Sequence, residues 1–309
     1  MTAHRAIELI APSGYVYDHA IAARAVERLR DQGHTVINTE AMERRSQRFA
    51  GTDAQRAAEL NRLADPARNL PDIVLAVRGG YGAVRLLHGL DYAGLRQRLT
   101  GQPIAIVGHS DFTALQMALY ARAGLMTFGG PMLVSDFGAP VVSAYTMEHF
   151  WQAITRPSFT LQVNAPQVQQ ASVSGTLWGG NLAVLAALAG TPYMPQIRGG
   201  ILFLEDINEL TFRLERTLYQ LHLCGILARQ QAIVLGDLSG GKIYESDNGY
   251  DVPAMVQHLR SLVGIPVITG LPFGHIADLA TLPFGAHARL NARAHGFTLE
   301  VSGYPHLRG

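Results

Sequence analysis

The stretch Ile104–Leu115, IAIVGHSDFTAL, sets the reading of the whole chain. Ile104, Ala105, Ile106 and Val107 form an unbroken apolar run, the pattern of a strand covered on both faces, where alternation is not needed. The run passes directly into Gly108, His109, Ser110 and Asp111, and Thr113–Tyr120 then has the composition of a helix. Strand, tight turn with a serine, and helix is the arrangement that lifts a hydroxyl out of a sheet and leaves backbone N–H groups at the helix start to hold an oxyanion. Asp111 in the first turn also suits the helix dipole. The usual pattern is G-x-S-x-G; here Phe112 takes the last position, so the match is partial. A Gly-His-Ser turn that does no chemistry is the alternative.

Outward from this stretch, strands and helices alternate. Toward the amino end, Ala6–Ala11 is an apolar strand running into Pro12–Tyr15, and Ala20–Gln32 has helical spacing at Ala23, Val26 and Leu29. His34–Asn38 is a short strand, Ala54–Ala64 a helix with Asp53 as its N-cap, and Ile73–Val77 a third buried strand. That strand is followed at once by Arg78–Gly82, RGGYG, with helix resuming over Ala83–His88. The alternation predicts an α/β fold with a mainly parallel sheet covered by helices on both faces. Ligands bind outside the carboxyl ends of such strands. Both RGGYG and the Ser110 turn sit at carboxyl ends, so one cleft can contain them.

After Trp151 the character changes. Arg156–Ser172 is polar, contains prolines and has little helical periodicity, and is expected to be a linker. Beyond it come Gly175–Asn181 (GTLWGGN), a helix over Leu182–Ala189, and the strand Ile201–Leu204 ending in Glu205 and Asp206. The helix Phe212–Leu223, the strand Ala232–Leu235, the helix Ala254–Leu262 and the strand Val267–Gly270 follow. Ala288–Ser302 alternates like a two-stranded antiparallel ribbon. A length of 309 residues suits one large or two medium domains. With 25 basic and 24 acidic residues the net charge is +1, which gives no reason to expect nucleic acid or an acidic membrane as partner. The single cysteine, Cys224, excludes an intrachain disulfide framework and multi-cysteine zinc sites, and is read as a buried apolar filler. Met1–Arg5 leads straight into Ala6–Ala11, too short for a signal peptide, and no run suffices to span a bilayer; a soluble, cytoplasmic protein is expected.

A serine nucleophile needs a base in hydrogen-bond reach, and the base needs an orienting acceptor. Of the twelve histidines, His109 is next to Ser110 with its side chain expected to point away, which makes it structural. His275 follows a strand in the loop LPFGH, where an exposed active-site residue would sit; His287, at the edge of the terminal ribbon, competes with it. Glu205 is delivered to a carboxyl tip by ILFL and is the leading third member, although a helix cap or an ion pair with Arg213 or Arg216 would equally explain it; Glu209 is less constrained. In RGGYG, adjacent glycines let backbone approach a ligand and aim N–H groups at an oxyanion or carboxylate. A simple tight turn is the alternative, and neither a Walker A nor a G-x-G-x-x-G pattern fits. No H-E-x-x-H or paired ligand spacing is present, so no metal or other cofactor is expected.

Taken together, APSG (Ala11–Gly14), VRGGYGAVRLL (Val77–Leu87), GHSDFTAL (Gly108–Leu115), FGGPM (Phe128–Met132), GTLWGGNL (Gly175–Leu182), LEDINE (Leu204–Glu209) and TLPFGAHARL (Thr281–Leu290) resemble the serine LD-carboxypeptidases, the muramoyltetrapeptide carboxypeptidases of murein recycling. The resemblance runs from about Ala6 to Ser302. It implies a flavodoxin-like amino-terminal domain carrying the serine (1–155), a linker (156–172) and a smaller α/β carboxy-terminal domain with strands carrying the acid and the histidine (173–309). It implies a triad of Ser110, Glu205 and His275, with an oxyanion hole from the N–H groups of Gly80 and Asp111, Gly79 being the alternative to Gly80. The implied substrate is a murein tetrapeptide, free or sugar-linked, cut between the L-centre of meso-diaminopimelate or lysine and a terminal D-alanine. Arg78 and the N–H groups around Gly79 and Gly80 would grip the free carboxylate. Trp178 is a candidate wall of the substrate pocket, with core packing as its alternative, and Asn181 is a candidate helix N-cap. A homodimer is implied by resemblance alone. Two rival readings are a microcin-immunity peptidase using the same triad on an acyl-aspartyl nucleotide, and a non-catalytic muropeptide-binding protein. The resemblance gives the immunity peptidases a longer, aromatic-bearing insertion ahead of the glutamate, and the few residues separating Trp178–Gly180 from Glu205 here favour the muropeptide enzyme.

Overall fold

The apolar runs of the first half become the parallel strands of one sheet. In the computed structural model, which describes residues 3–308, these are β1 (Ala6–Ile10), β2 (Thr35–Ile37), β3 (Ile73–Ala76), β4 (Ala105–Gly108) and β5 (Thr127–Gly129). They are ordered β2-β1-β3-β4-β5 and all parallel, the flavodoxin-like order, with a switch point beside β1 and β3. β3 and β4 are buried along their whole length, which is why neither alternates. Helices α1 (His19–Asp31), α2 (Asp53–Asn61), α3 (Tyr92–Leu99), α4 (Thr113–Ala123) and α5 (Ala144–Thr155) accompany them. The N-cap of α2 is Thr52, not Asp53: Thr52 and Gln55 form a reciprocal capping box, while Asp53 pairs with Arg56 and Arg85. Ala83–Gly89 winds as a 3₁₀ helix rather than the expected α-helix.

The second sheet begins where a linker was expected. β6 (Ser158–Val163) lies inside 156–172 and buries Phe159, Leu161 and Val163 on one face. It pairs antiparallel with the last strand of the chain, so only the residues between it and β7 (Ala171–Asn181) connect elements. Pro157 and the alternate polar residues disguised it as a connector. β8 (Ile201–Glu205), β9 (Ala232–Leu235) and β10 (Val267–Thr269) continue the sheet, alternating with α6 (Leu182–Ala187), α7 (Thr211–Leu223) and α8 (Val252–Leu262). β11 (Leu282–Phe284), β12 (His287–Arg293) and β13 (Gly296–Ser302) complete the strands. The order β10-β9-β8-β7-β12-β13-β6 is parallel from β10 to β7 and antiparallel from β7 to β6. β12 and β13 are the expected ribbon.

β11 does not join this sheet. It crosses back to pair antiparallel with β5, so a strand from the carboxy-terminal half finishes the first sheet. Phe273 packs edge-on to Phe203 with ring centroids 5.0 Å apart, and its ring meets the bare Cα of Gly129. One buried cluster therefore runs from the first sheet into the second. Cys224 is not a core filler: it is exposed at the carboxyl cap of α7.

Candidate active site

The carboxyl ends of both parallel sets face one cleft. From the first sheet, β4 ends at Gly108, and Ser110 follows with φ +62°, a left-handed conformation that costs a residue with a Cβ roughly 1–2 kcal/mol. That turn is the strained elbow expected of an exposed nucleophile. A Cβ on Gly108 would lie 2.7 Å from the Phe112 ring. The bare strand end thus makes room for the phenylalanine that stands where the usual pattern has its last glycine.

From the second sheet, β8 delivers Glu205, which is fully buried, and the loop after β10 delivers His275. His275 Nδ1 is 2.9 Å from Glu205 Oε2, and His275 Nε2 is 3.0 Å from Ser110 Oγ. A carboxylate only accepts, so Nδ1 carries the proton and Nε2 is left to accept from the serine hydroxyl. Burial alone would lower the His275 pKa, but the hydrogen bond and charge of Glu205, with the charges of Asp206 and Asp237, bring it above the usual histidine value. The competing residues stand elsewhere. His287 is exposed on β12, paired with Thr176 and Ser302, and Glu209 faces Arg213 at 3.9 Å.

Asn181 was legible only as a cap, and it does more. At the tip of β7 its Oδ1 accepts from Val184 N–H at 3.1 Å, while its Nδ2 donates to Glu205 Oε1 at 3.1 Å and Asp206 Oδ1 at 3.2 Å. Its own N–H donates to Thr113 Oγ1 at 3.0 Å, one turn beyond Ser110. That bond ties the lobe of the nucleophile to the lobe of the acid. Asp206 also accepts from Ala183 N–H and Ile207 N–H; burial and the neighbouring Glu205 raise its pKa.

RGGYG lies against the elbow. A Cβ on Gly79 would be 3.0 Å from both Cβ and Oγ of Ser110, so only glycine permits this approach. The Gly79 carbonyl accepts from Gly14 N–H at 3.3 Å, which turns the Gly80 N–H of the same trans peptide away from Gly14. Among the described residues, neither Gly80 N–H nor Asp111 N–H has a hydrogen-bond partner within the protein. The Asp111 side chain is buried and accepts from Ser13 Oγ (2.6 Å) and Ala83 N–H (2.8 Å), bracing the loops after β1 and β3 against the elbow. Burial raises its pKa. Arg78 donates to the Tyr15 carbonyl at 3.0 Å and lies over the Tyr17 ring.

Two expectations are corrected. Trp178 forms no wall of this cleft: it is fully buried in the core, its Nε1 donating to Gln230 Oε1 at 2.9 Å. His109 does not point away. Its Nδ1 donates to the Gly130 carbonyl at 2.9 Å and its ring meets His275 edge-on, centroids 5.3 Å apart. His109 is itself extended (φ −143°, ψ −170°), so its side chain leaves on the face opposite to that of Gly108, and its ring and that of His275 line a cavity of about 290 Å³ with Asp136, Ser143 and Thr146.

Comparison with known proteins agrees with this architecture. Residues 7–130 match the model of the LD-carboxypeptidase N-terminal domain, and residues 174–290 match that of the LD-carboxypeptidase C-terminal domain. The structure of muramoyltetrapeptide carboxypeptidase from Oxalobacter formigenes superposes with a TM-score of 0.90 at 45% identity, covering 97% of this chain and 99% of that one. The murein tetrapeptide carboxypeptidase of Pseudomonas aeruginosa is 31% identical over 295 residues, 92% of either chain. The microcin C7 self-immunity protein MccF of Escherichia coli is 30% identical over 299 residues, 85% of this chain and 83% of that protein. With both domain models matched along the chain and the same architecture in a solved relative, the protein belongs to the LD-carboxypeptidase family.

Proposed function

We propose that the protein is a serine LD-carboxypeptidase that removes the terminal D-alanine from murein tetrapeptides during cytoplasmic peptidoglycan recycling. The observation that carries this reading is the unbroken hydrogen-bond relay Glu205–His275–Ser110, drawn from two lobes and ending at a strained, partly exposed serine. In the proposed reaction, His275 Nε2 takes the Ser110 proton while Glu205 stabilises the imidazolium. Ser110 Oγ attacks the carbonyl at the L-centre of the dibasic residue. The oxyanion that forms is held by the N–H groups of Gly80 and Asp111, with Gly79 beside them, and each such donor is typically worth ~100–1000-fold in turnover. His275 then protonates the departing amine of D-alanine, and a water activated by the same nitrogen releases the tripeptide. Arg78 grips the carboxylate of the leaving residue.

The test uses L-Ala-γ-D-Glu-meso-Dap-D-Ala and its isomer ending in L-alanine, with alanine release followed by mass spectrometry. Release from the D-alanine peptide alone, undiminished by EDTA, is the expected result. A fluorophosphonate probe should label the wild type and not Ser110→Ala. Cleavage confined to the L-alanine isomer removes the LD assignment. Turnover of an acyl-aspartyl nucleotide in place of both peptides moves the protein to the immunity-peptidase reading, and labelling with no turnover of any of them leaves a different hydrolase.

A further inference from the structure

The loops after β1, β2 and β3 carry three guanidinium groups laid over three tyrosine rings. Arg78 Cζ lies 4.2 Å from the Tyr17 ring centre, Arg45 Cζ 4.2 Å from that of Tyr15, and Arg48 Cζ 5.5 Å from that of Tyr81. Tyr15 and Tyr17 touch edge to face at 4.7 Å, which makes the row Arg78–Tyr17–Tyr15–Arg45 continuous. Tyr15 N–H donates to the Arg48 carbonyl at 3.4 Å, joining Arg48 and Tyr81 to the same rim. The row starts at the nucleophile, because Gly79, next to Arg78, abuts Ser110 Oγ.

Stacking on an aromatic ring is not special to these arginines. Arg56 and Arg85 lie over Phe49, but both also pair with Asp53, and Arg44 and Arg62 of the same lobe pair with Glu59 and Glu8. Arg45, Arg48 and Arg78 form no ion pair among the described residues. Their planar faces are occupied by tyrosine while the hydrogen-bonding edges of Arg45 and Arg48 stay open, the state in which a guanidinium receives a carboxylate with two parallel bonds. Tyr17 and Tyr81 are exposed, 66% and 45%, so the rim is open to solvent.

We infer that Arg45 and Arg48, on their tyrosine supports, form a second anion subsite that takes a carboxylate of the peptide other than its C-terminal one. In a murein tetrapeptide the α-carboxylate of the γ-linked D-glutamate is such a group, standing several bonds from the scissile carbonyl. This inference rests on the carboxypeptidase reading.

The experiment compares kcat/KM for L-Ala-γ-D-Glu-meso-Dap-D-Ala and for its α-carboxamide analogue, in wild type and in an Arg45→Ala/Arg48→Ala double variant. Wild type should prefer the acid by about tenfold, within the range of charge-assisted contacts. The double variant should treat the two peptides alike, its loss on the acid appearing in KM rather than kcat. Because each preference is a ratio measured on one protein preparation, partial misfolding lowers both peptides together and does not imitate the effect. Cleavage of both peptides at one rate by wild type, or the same preference in both proteins, removes the subsite and leaves the carboxypeptidase reading standing. Failure of wild type to cleave either peptide overturns that reading and the subsite with it.

Discussion

The two lobes meet at the cleft with opposite electrical character. On the nucleophile's side, the loops after β1–β3 present Arg45, Arg48 and Arg78, which have no carboxylate partner among the described residues. On the base's side, the carboxyl ends of β8 and β9 present Glu205, Asp206 and Asp237 around one imidazole. The same general rule, that ligands gather outside the carboxyl ends of parallel strands, is used twice for different ends. The cationic lobe suits a substrate that brings carboxylates. The anionic lobe suits a histidine that becomes positively charged in the proposed reaction. Neither lobe alone carries a working set of groups: the serine without the imidazole is an ordinary alcohol, and the imidazole without the serine has nothing to deprotonate.

Removing the charge nearest the imidazole breaks this division most severely. In Glu205→Gln the amide NH₂ can face Nδ1 and force the proton to Nε2, the wrong nitrogen for accepting from Ser110. A fall in kcat of about 10³–10⁴-fold is expected, the size of effect a wrong tautomer produces. The direction of the pH change is also fixed. Glu205 raises the His275 pKa, so neutralising it lets the imidazole lose its proton at lower pH, and the acid limb of the kcat/KM profile should move down. Retention of near wild-type turnover in Glu205→Gln would remove Glu205 from the mechanism.

Asn181 joins the lobes, and its removal should come second. In Asn181→Ala, Glu205 Oε1 loses its amide donor, Asp206 Oδ1 loses one of two, and the cap on α6 disappears. Stranding buried acceptors costs about 1–3 kcal/mol, and loss of the cap adds roughly 1 kcal/mol. The variant should unfold at lower denaturant concentration and lose about 10–100-fold in kcat, the usual scale for groups that orient others. Asn181→Asp makes the comparison sharper, because it restores the capping oxygen but puts a third carboxylate beside Glu205 and Asp206. It should be worse than alanine, and a milder effect would show that the capping role dominates.

Much of this division was legible in the sequence because the strands that carry it are buried on both faces. IVLA, AIVG and ILFL are continuous apolar runs, and each announces that the next residues lie at a carboxyl tip. Ser110 and Glu205 were placed in this way, and His275 by its loop. Their juxtaposition was not legible from spacing, since 165 residues separate Ser110 from His275 and 70 separate Glu205 from it; only the family resemblance supplied it. The misreadings have separate causes. β6 alternates correctly, but an edge strand half covered by one neighbour reads as polar once Pro157 precedes it. Trp178 was ambiguous because an aromatic beside two glycines suits a pocket wall as well as a core. His109 continues the extended backbone of β4, and the partners that hold its ring, the Gly130 carbonyl and His275, come from distant segments that composition does not reveal. The side-chain NH₂ of Asn181, donating to the carboxylates of Glu205 and Asp206 at the end of the neighbouring strand, has no local signature at all.

The smallest effect gives the most selective test of the anionic lobe. Asp237, following the tip of β9, is partly exposed, accepts from Ser239 Oγ at 2.8 Å, and makes no hydrogen bond to His275. Its influence on the imidazole is therefore through space, and Asp237→Asn keeps its shape while removing the charge. With one of three raising charges gone, His275 should titrate lower, though still above where burial alone would leave it, because Glu205 and Asp206 remain. In kcat/KM against pH, the acid limb should shift down by less than in Glu205→Gln, with the plateau nearly preserved, and the shift should shrink as salt is added. Stability follows with the opposite slope: a histidine whose folded pKa is raised stabilises the fold fully below its ordinary pKa and loses that contribution as pH rises through the raised value. Asp237→Asn should therefore lose stability at acidic pH and lose little at alkaline pH. Glu209→Gln is the control, because Glu209 faces Arg213 and is not among the charges that raise His275. If both variants moved the acid limb equally, the effect would belong to the net charge of the protein and not to the three carboxylates gathered at this edge.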